Sequence, residues 1–150
     1  MTKLLALMVI AAACGKGANK GVETETVALA DTGYVVDVPK GWTVEVPMKG
    51  FYSFKGAHGA PQILDSPGAR SADDIATAEC AGRTDIKKET LPNGAGAAVT
   101  CAGPSKMVQG VTTTKILVDI ARPTGGFLCH LETDQDPASA LAICKSIRKK

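Results

Sequence analysis

Hydrophobic and polar positions change their spacing several times along this chain. An unbroken apolar run, Leu4 to Ala13, follows Lys3 and ends at Cys14. Residues 15–32 then carry Gly, Ala, Lys, Glu and Thr, with few bulky apolar groups before Val27 and Leu29. That composition predicts a flexible tether over 14–32 and a single folded domain over 33–150. Within the domain, β-branched and aromatic residues predict a strand at 33–39 and an alternating strand at 42–46. Pro39-Lys40-Gly41 forms the turn between them, and Trp42 is the expected core anchor. Shorter strands are expected at 51–54 and 62–65, joined by a loop that carries His58.

Ser71-Ala72-Asp73-Asp74 has the form of a helix start, with an N-cap followed by acids in the first turn. Ala72, Ile75, Ala76 and Cys80 recur at helical spacing, so 72–81 is expected to be a helix with Cys80 inward. Two hairpins follow. One joins 85–91 to 97–101 across Pro92-Asn93-Gly94. The other joins 112–121 to 126–133 across Arg122-Pro123-Thr124-Gly125. Symmetric register about the second turn puts Ile116, Val118 and Ile120 on one face with Phe127, Cys129 and Leu131. The opposite face would carry Lys115, Asp119, His130 and Glu132, with Lys115 across from Glu132 as a charge pair. Asp136 and Pro137 start a last helix, with Ala140, Leu141, Ile143, Cys144 and Ile147 as its apolar stripe.

This order of strands, helix, hairpins and helix predicts an α+β fold: an antiparallel β-sheet with two helices packed on it. Pro39-Lys40-Gly41-Trp42 and the closing Ile143-Cys144-Lys145-Ser146-Ile147, with the helix running into Arg148 and Lys149, resemble elements of the PsbP-like fold of the Mog and DcrB families. That resemblance implies assembly or binding roles and does not specify an activity.

The first fourteen residues carry a separate signal. A basic start, a short apolar core and small residues are the parts of an export signal, and ten apolar residues are too few to span a bilayer. Ala11-Ala12-Ala13-Cys14 resembles the lipobox of bacterial lipoproteins. The resemblance implies removal of residues 1–13 as a signal peptide and fatty acylation of Cys14. It also implies a membrane-anchored protein of the cell envelope. Gly15 after the cysteine is similar to the enteric-type default for the outer membrane.

Cysteine number agrees with that reading. Of five cysteines, four remain once Cys14 is set aside: Cys80, Cys101, Cys129 and Cys144. An even number in an exported domain implies two disulfides. The elements favour Cys80–Cys101 and Cys129–Cys144, and the swapped pairings stay open. The 17 basic and 15 acidic residues nearly balance, which argues against nucleic acid as the main partner. The basic cluster Lys145, Arg148, Lys149 and Lys150 reads as a solvated helix end favoured by the helix dipole.

Candidate chemistry is sparse. His58 and His130 are the two histidines. Cys129-His130 near Glu132 and Asp134 lacks the converging ligands that zinc requires. Asp73 and Asp74 are neighbours on a helix and do not face each other. Ser105 lies in a Gly/Pro turn outside any nucleophile elbow, and Gly94-Ala95-Gly96 lacks the helix and Lys of a phosphate loop. No catalytic, metal or cofactor residue is therefore assigned. The sequence points to an envelope lipoprotein with a non-catalytic binding or scaffolding domain, partnered by another envelope component. The alternatives are a small-ligand carrier with an apolar cleft near Phe51–Phe54 and a hydrolase or metal-dependent enzyme built on a histidine.

Overall fold

The computed structural model describes residues 22–55 and 59–150. The export signal, Cys14 and His58 lie outside the described residues. The elements run β1 (Thr24–Leu29), β2 (Tyr34–Pro39), β3 (Thr43–Met48), β4 (Phe51–Lys55), β5 (Gln62–Ser66), α1 (Ala72–Glu79), β6 (Thr84–Leu91), β7 (Gly96–Pro104), β8 (Thr112–Ala121), β9 (Gly126–Thr133), α2 (Pro137–Lys145) and β10 (Arg148–Lys149). Strands β3-β4-β5-β9-β8-β7-β6 form a seven-stranded antiparallel sheet, and β1-β2-β10 form a smaller one. Among the described residues no helix is long and apolar enough to cross a membrane.

Alternation in the central strands assigns each face its own core. Ala98, Ile116, Val118, Ile120, Phe127 and Cys129 point toward the small sheet and α2, where they meet Val36, Val38, Ile143 and Cys144. Tyr34 and Tyr52 each set an edge against the Phe127 ring, at 5.3 and 6.0 Å between centroids. Ala97, Val99, Cys101 and Leu117 point the other way and are covered by α1 through Ile75 and Cys80. The two helices thus sit on opposite faces of the large sheet.

Local chemistry sets the helix limits. Ser71 accepts the Asp74 N–H, and Asp73 and Asp74 complement the helix N-terminus. Asp136 accepts the Ala138 N–H and Pro137 fills the first turn of α2. Gly96 is required where β7 begins. Its φ is +140°, and a side-chain carbon there would collide with the Asp119 carbonyl.

The second hairpin has the expected register. Ile116 pairs with Leu131, Val118 with Cys129, Ile120 with Phe127 and Lys115 with Glu132. The disulfides are Cys80–Cys101 and Cys129–Cys144, with Cα separations of 6.0 and 5.5 Å. One ties α1 to β7 and the other ties α2 to β9.

Four expectations require correction. The tether does not extend to residue 32: Thr24 to Leu29 form β1, paired residue by residue with β2. Its outward positions are Thr and Glu, which conceal a strand at the edge of a small sheet. The last helix does not continue through Lys149. It stops at Lys145, where the Ser146 hydroxyl donates to the Ile143 carbonyl, and Arg148 and Lys149 extend along β2. Nor is the basic C-terminus merely a solvated helix end, since Lys145 pairs with Glu89 at 2.6 Å and Arg148 with Asp37 at 2.8 Å. Trp42 is half-buried at the rim, tilted against Phe54, rather than central.

Both helices are short, so each disulfide is expected to carry much of its helix's attachment. Replacing Cys129 and Cys144 together by Ala should cost about 3 kcal/mol, the scale for a loop of this length. The corresponding pair at Cys80 and Cys101 should cost slightly more because its loop is longer. Urea unfolding of each double variant checks this, and an unchanged midpoint would show that the crosslink adds nothing beyond packing.

Candidate functional site

The face expected to be polar and open is instead roofed by α1, and its charges are organised beneath that helix. Asp119 is 1% exposed, although it interrupts the apolar run Ile116-Leu117-Val118-Asp119-Ile120. Arg70, just before α1, satisfies it. The Arg70 backbone N–H and Nε donate to Oδ2 at 3.1 and 2.8 Å, and Nη2 donates to Oδ1 at 3.3 Å. The guanidinium also reaches Glu79 at the end of α1, at 3.3 Å. Hydrogen bonding to Asp119 raises the Arg70 pKa above its ordinary value, against the opposing effect of burial.

Lys115 belongs to this group. Its partner is Glu79 at 3.2 Å, not Glu132, although the β8–β9 register places it opposite Glu132. Glu132 is taken by Arg83 at 2.6 Å and by the Thr113 hydroxyl. The competing partners come from α1 and from the segment after it, which a two-strand reading omits. Burial pushes the Glu79 carboxyl up, but hydrogen bonds from Lys115 and Arg70 outweigh it and leave the pKa lowered. Burial likewise opposes, and Thr113 and Arg83 overcome it, at Glu132.

His130 opens into a groove of about 610 Å³ beside these groups, lined also by Ala60, Gln62, Glu79, Met107 and Lys115. Burial lowers the imidazole pKa, with Glu79 raising it and Lys115 lowering it. Among the described residues no hydrogen bond reaches the ring, and no group of three or more His, Cys, Asp and Glu is placed to hold a metal ion. The other candidates serve local structure. Asp73 accepts from Lys88, Asp74 accepts from the Ser71 hydroxyl, and the Ser105 hydroxyl accepts the Met107 and Val108 amides.

A second groove lies where three turns meet at the other end of the sheets, beside Asp65 of β5. It has a volume of about 500 Å³ and is lined by Asp31, Lys49, Tyr52, Asp65 and Arg122. The Arg122 guanidinium lies 4.1 Å from the Phe127 ring centroid and pairs with Asp65 at 3.2 Å. Its Nε is buried with no hydrogen-bond partner among the described residues. Burial and the Asp65 charge raise the Tyr52 hydroxyl pKa, with Arg122 acting in the opposite direction. Gly50 lets the β3–β4 turn approach Asp65, because a side-chain carbon there would meet Oδ2 at 2.9 Å with φ at +77°.

This groove was not anticipated. In the stretch Phe51–Phe54, where the sequence suggested an apolar cleft, Tyr52 and Phe54 are buried in the core, and the groove that Tyr52 reaches is lined by charged side chains. The available signal was the recurrence of charged residues at Gly-containing turns, Asp31 to Gly33, Lys49-Gly50 and Arg122 to Gly125. No protein-family model matches the chain, and no curated protein matches it.

Two outcomes test this description. Arg70→Met should destabilise the fold by about 3 kcal/mol, because it strands a buried carboxylate. Urea unfolding compares it with the milder Asp119→Asn. The pH dependence has a definite sign. The folded protein resists protonating His130, so stability should fall as pH drops below about 6.5, the ordinary imidazole value. Glu79 and Glu132 stabilise while ionised, so a second loss should begin below about 4.3 and continue through their depressed folded values. His130→Gln should abolish the first loss and leave the second. A wild-type curve flat between about pH 7 and 5 would contradict the assignment.

Proposed function

We propose that this chain is a bacterial envelope lipoprotein, acylated at Cys14, whose non-catalytic domain binds or scaffolds another envelope component. The observation that carries the reading is the cysteine count. The domain's four cysteines form two disulfides, which suits an oxidising compartment. The fifth is Cys14, set behind Ala11-Ala12-Ala13 in the order of a lipobox. Gly15 supports outer-membrane placement by the enteric-type default. An α+β domain with an antiparallel sheet and two helices is compatible with a PsbP-like architecture, and the Pro39-to-Trp42 turn adds to that likeness.

Binding is favoured over turnover by the commitments of the charged groups. Glu79, Glu132 and Asp119 all serve ion pairs that hold α1 and its flanking segments to the sheet. A general base drawn from them would have to abandon that role. A second reading, carriage of a small polar ligand, is favoured by one observation: the unpartnered Arg122 Nε beside the charged groove at Tyr52.

The intact mass of the mature protein from membranes tests the main reading. The expected mass is that of residues 14–150 plus acyl groups, with four cysteines alkylating only after reduction. Cys14→Ala should move the protein from the membrane to the soluble fraction. An unacylated wild-type chain would overturn the anchor.

A further inference from the structure

We propose that the tip of the β7–β8 hairpin, Ser105 to Val111, docks onto the same lipid bilayer that holds Cys14, fixing the end of the domain that faces the membrane. This rests on the lipid-anchor reading above.

The first support is the placement of the N-terminus. The described chain begins at Val22, which is 70% exposed. Thr24 pairs with Pro39, and Lys40 bonds to Glu23 through both backbone and side chain. The chain therefore enters the domain beside the β2–β3 turn. One groove joins that turn to Gly59 and Gln135, and the His130 groove joins Ala60 to Met107. The hairpin tip and the point of entry therefore lie at the same end of the sheets. Val22 is eight residue steps after Cys14, so the covalent reach is at most about 28 Å. A ten-residue strand such as β8 is about 33 Å long. The tether is thus shorter than the domain, and it holds this end toward the lipid.

The second support is the construction of the tip. Met107 is 94% exposed and Val108 is 55% exposed. Their backbone amides are satisfied from within, since both donate to the Ser105 hydroxyl at 3.1 Å. Ser105 N–H donates to the Val111 carbonyl at 2.8 Å, and Val111 N–H donates to that of Val108 at 3.4 Å. A loop that pairs its own polar backbone can enter an apolar interface at reduced cost. Lys106 beside the apolar pair suits the headgroup level, where its stem can lie along lipid while its amine stays in water. A tip this small binds lipid weakly alone, but the anchor makes the contact intramolecular.

The experiment uses the full acylated chain in vesicles of phosphatidylethanolamine and phosphatidylglycerol with brominated acyl chains. Met107→Trp in a Trp42→Phe background reports the tip. Met48→Trp in the same background reports the opposite end, where Met48 is 68% exposed. The tip reporter should be quenched roughly two-fold, since interfacial groups sit about 5–10 Å into the headgroup and acyl boundary, and the Met48 reporter should not. Amide exchange on the unsubstituted chain gives a second reading. Residues 106–110 should exchange several-fold more slowly in vesicles than in the soluble Cys14→Ala chain, with 31–33 unchanged. Intact mass is taken on the same samples. An acylated chain with an unquenched, unprotected tip would overturn lipid docking, leave the anchor standing and turn attention to a protein partner for the tip. A chain without acyl groups would overturn the anchor and the docking together.

Discussion

The central strands β7, β8 and β9 are buried on both faces, and the rest of the fold answers to that constraint. Val118 and Cys129 look into one core while Leu117 looks into the other. Each face needs a cover, and each receives a helix of only eight or nine residues. Helices of that length are marginal on their own, so their stability comes from the surface they pack on. A disulfide fixes each of them to it, Cys80–Cys101 on one face and Cys129–Cys144 on the other. The symmetry is physical rather than sequential: two short lids, two crosslinks, one shared sheet.

Covering a sheet that carries charged residues has an electrostatic consequence. Asp119 lies beneath the start of α1, where an unpaired carboxylate would be costly. Arg70 surrounds it with three donors, then extends to Glu79, which in turn holds Lys115. The network links the segment before α1, the end of α1 and the middle of β8. It makes the seating of the helix specific, because sliding α1 would break several ion pairs at once. His130 lies at the margin of this network and draws its lowered pKa from burial rather than from a catalytic partner.

What could be read from the sequence follows from the range of the interactions involved. The β8–β9 register was legible because a short turn and strict alternation leave little freedom. Cys80 and Cys144 were legible as inward residues because helical spacing puts them on the apolar stripe. The burial of Asp119 was not, since a carboxylate on an alternating strand reads as solvent-facing until a helix is placed above it. The ion pair of Lys115 failed for the same reason: its strand neighbour was right, but α1 supplied a better partner. β1 escaped notice because Thr24, Glu25 and Thr26 carry no apolar alternation, and β10 because Arg148 and Lys149 look like a solvated tail. The charged groove was illegible because it gathers turns separated by up to about ninety residues, whose proximity only the strand order creates.

That strand order also gives the domain two chemically distinct ends. The chain enters at the end bearing the β2–β3 turn, Trp42 and the apolar hairpin tip. The β1–β2, β3–β4 and β8–β9 turns gather at the opposite end, around Tyr52, Asp65 and Arg122. A polar partner approaching this groove would meet the exposed Lys49 and Asp31 at its rim before reaching the more buried Arg122. The Arg122 side chain is braced on Phe127, which packs against Tyr34 and Tyr52 in the core. The wall of the groove is therefore continuous with the packing between the two sheets through Arg122 and Phe127.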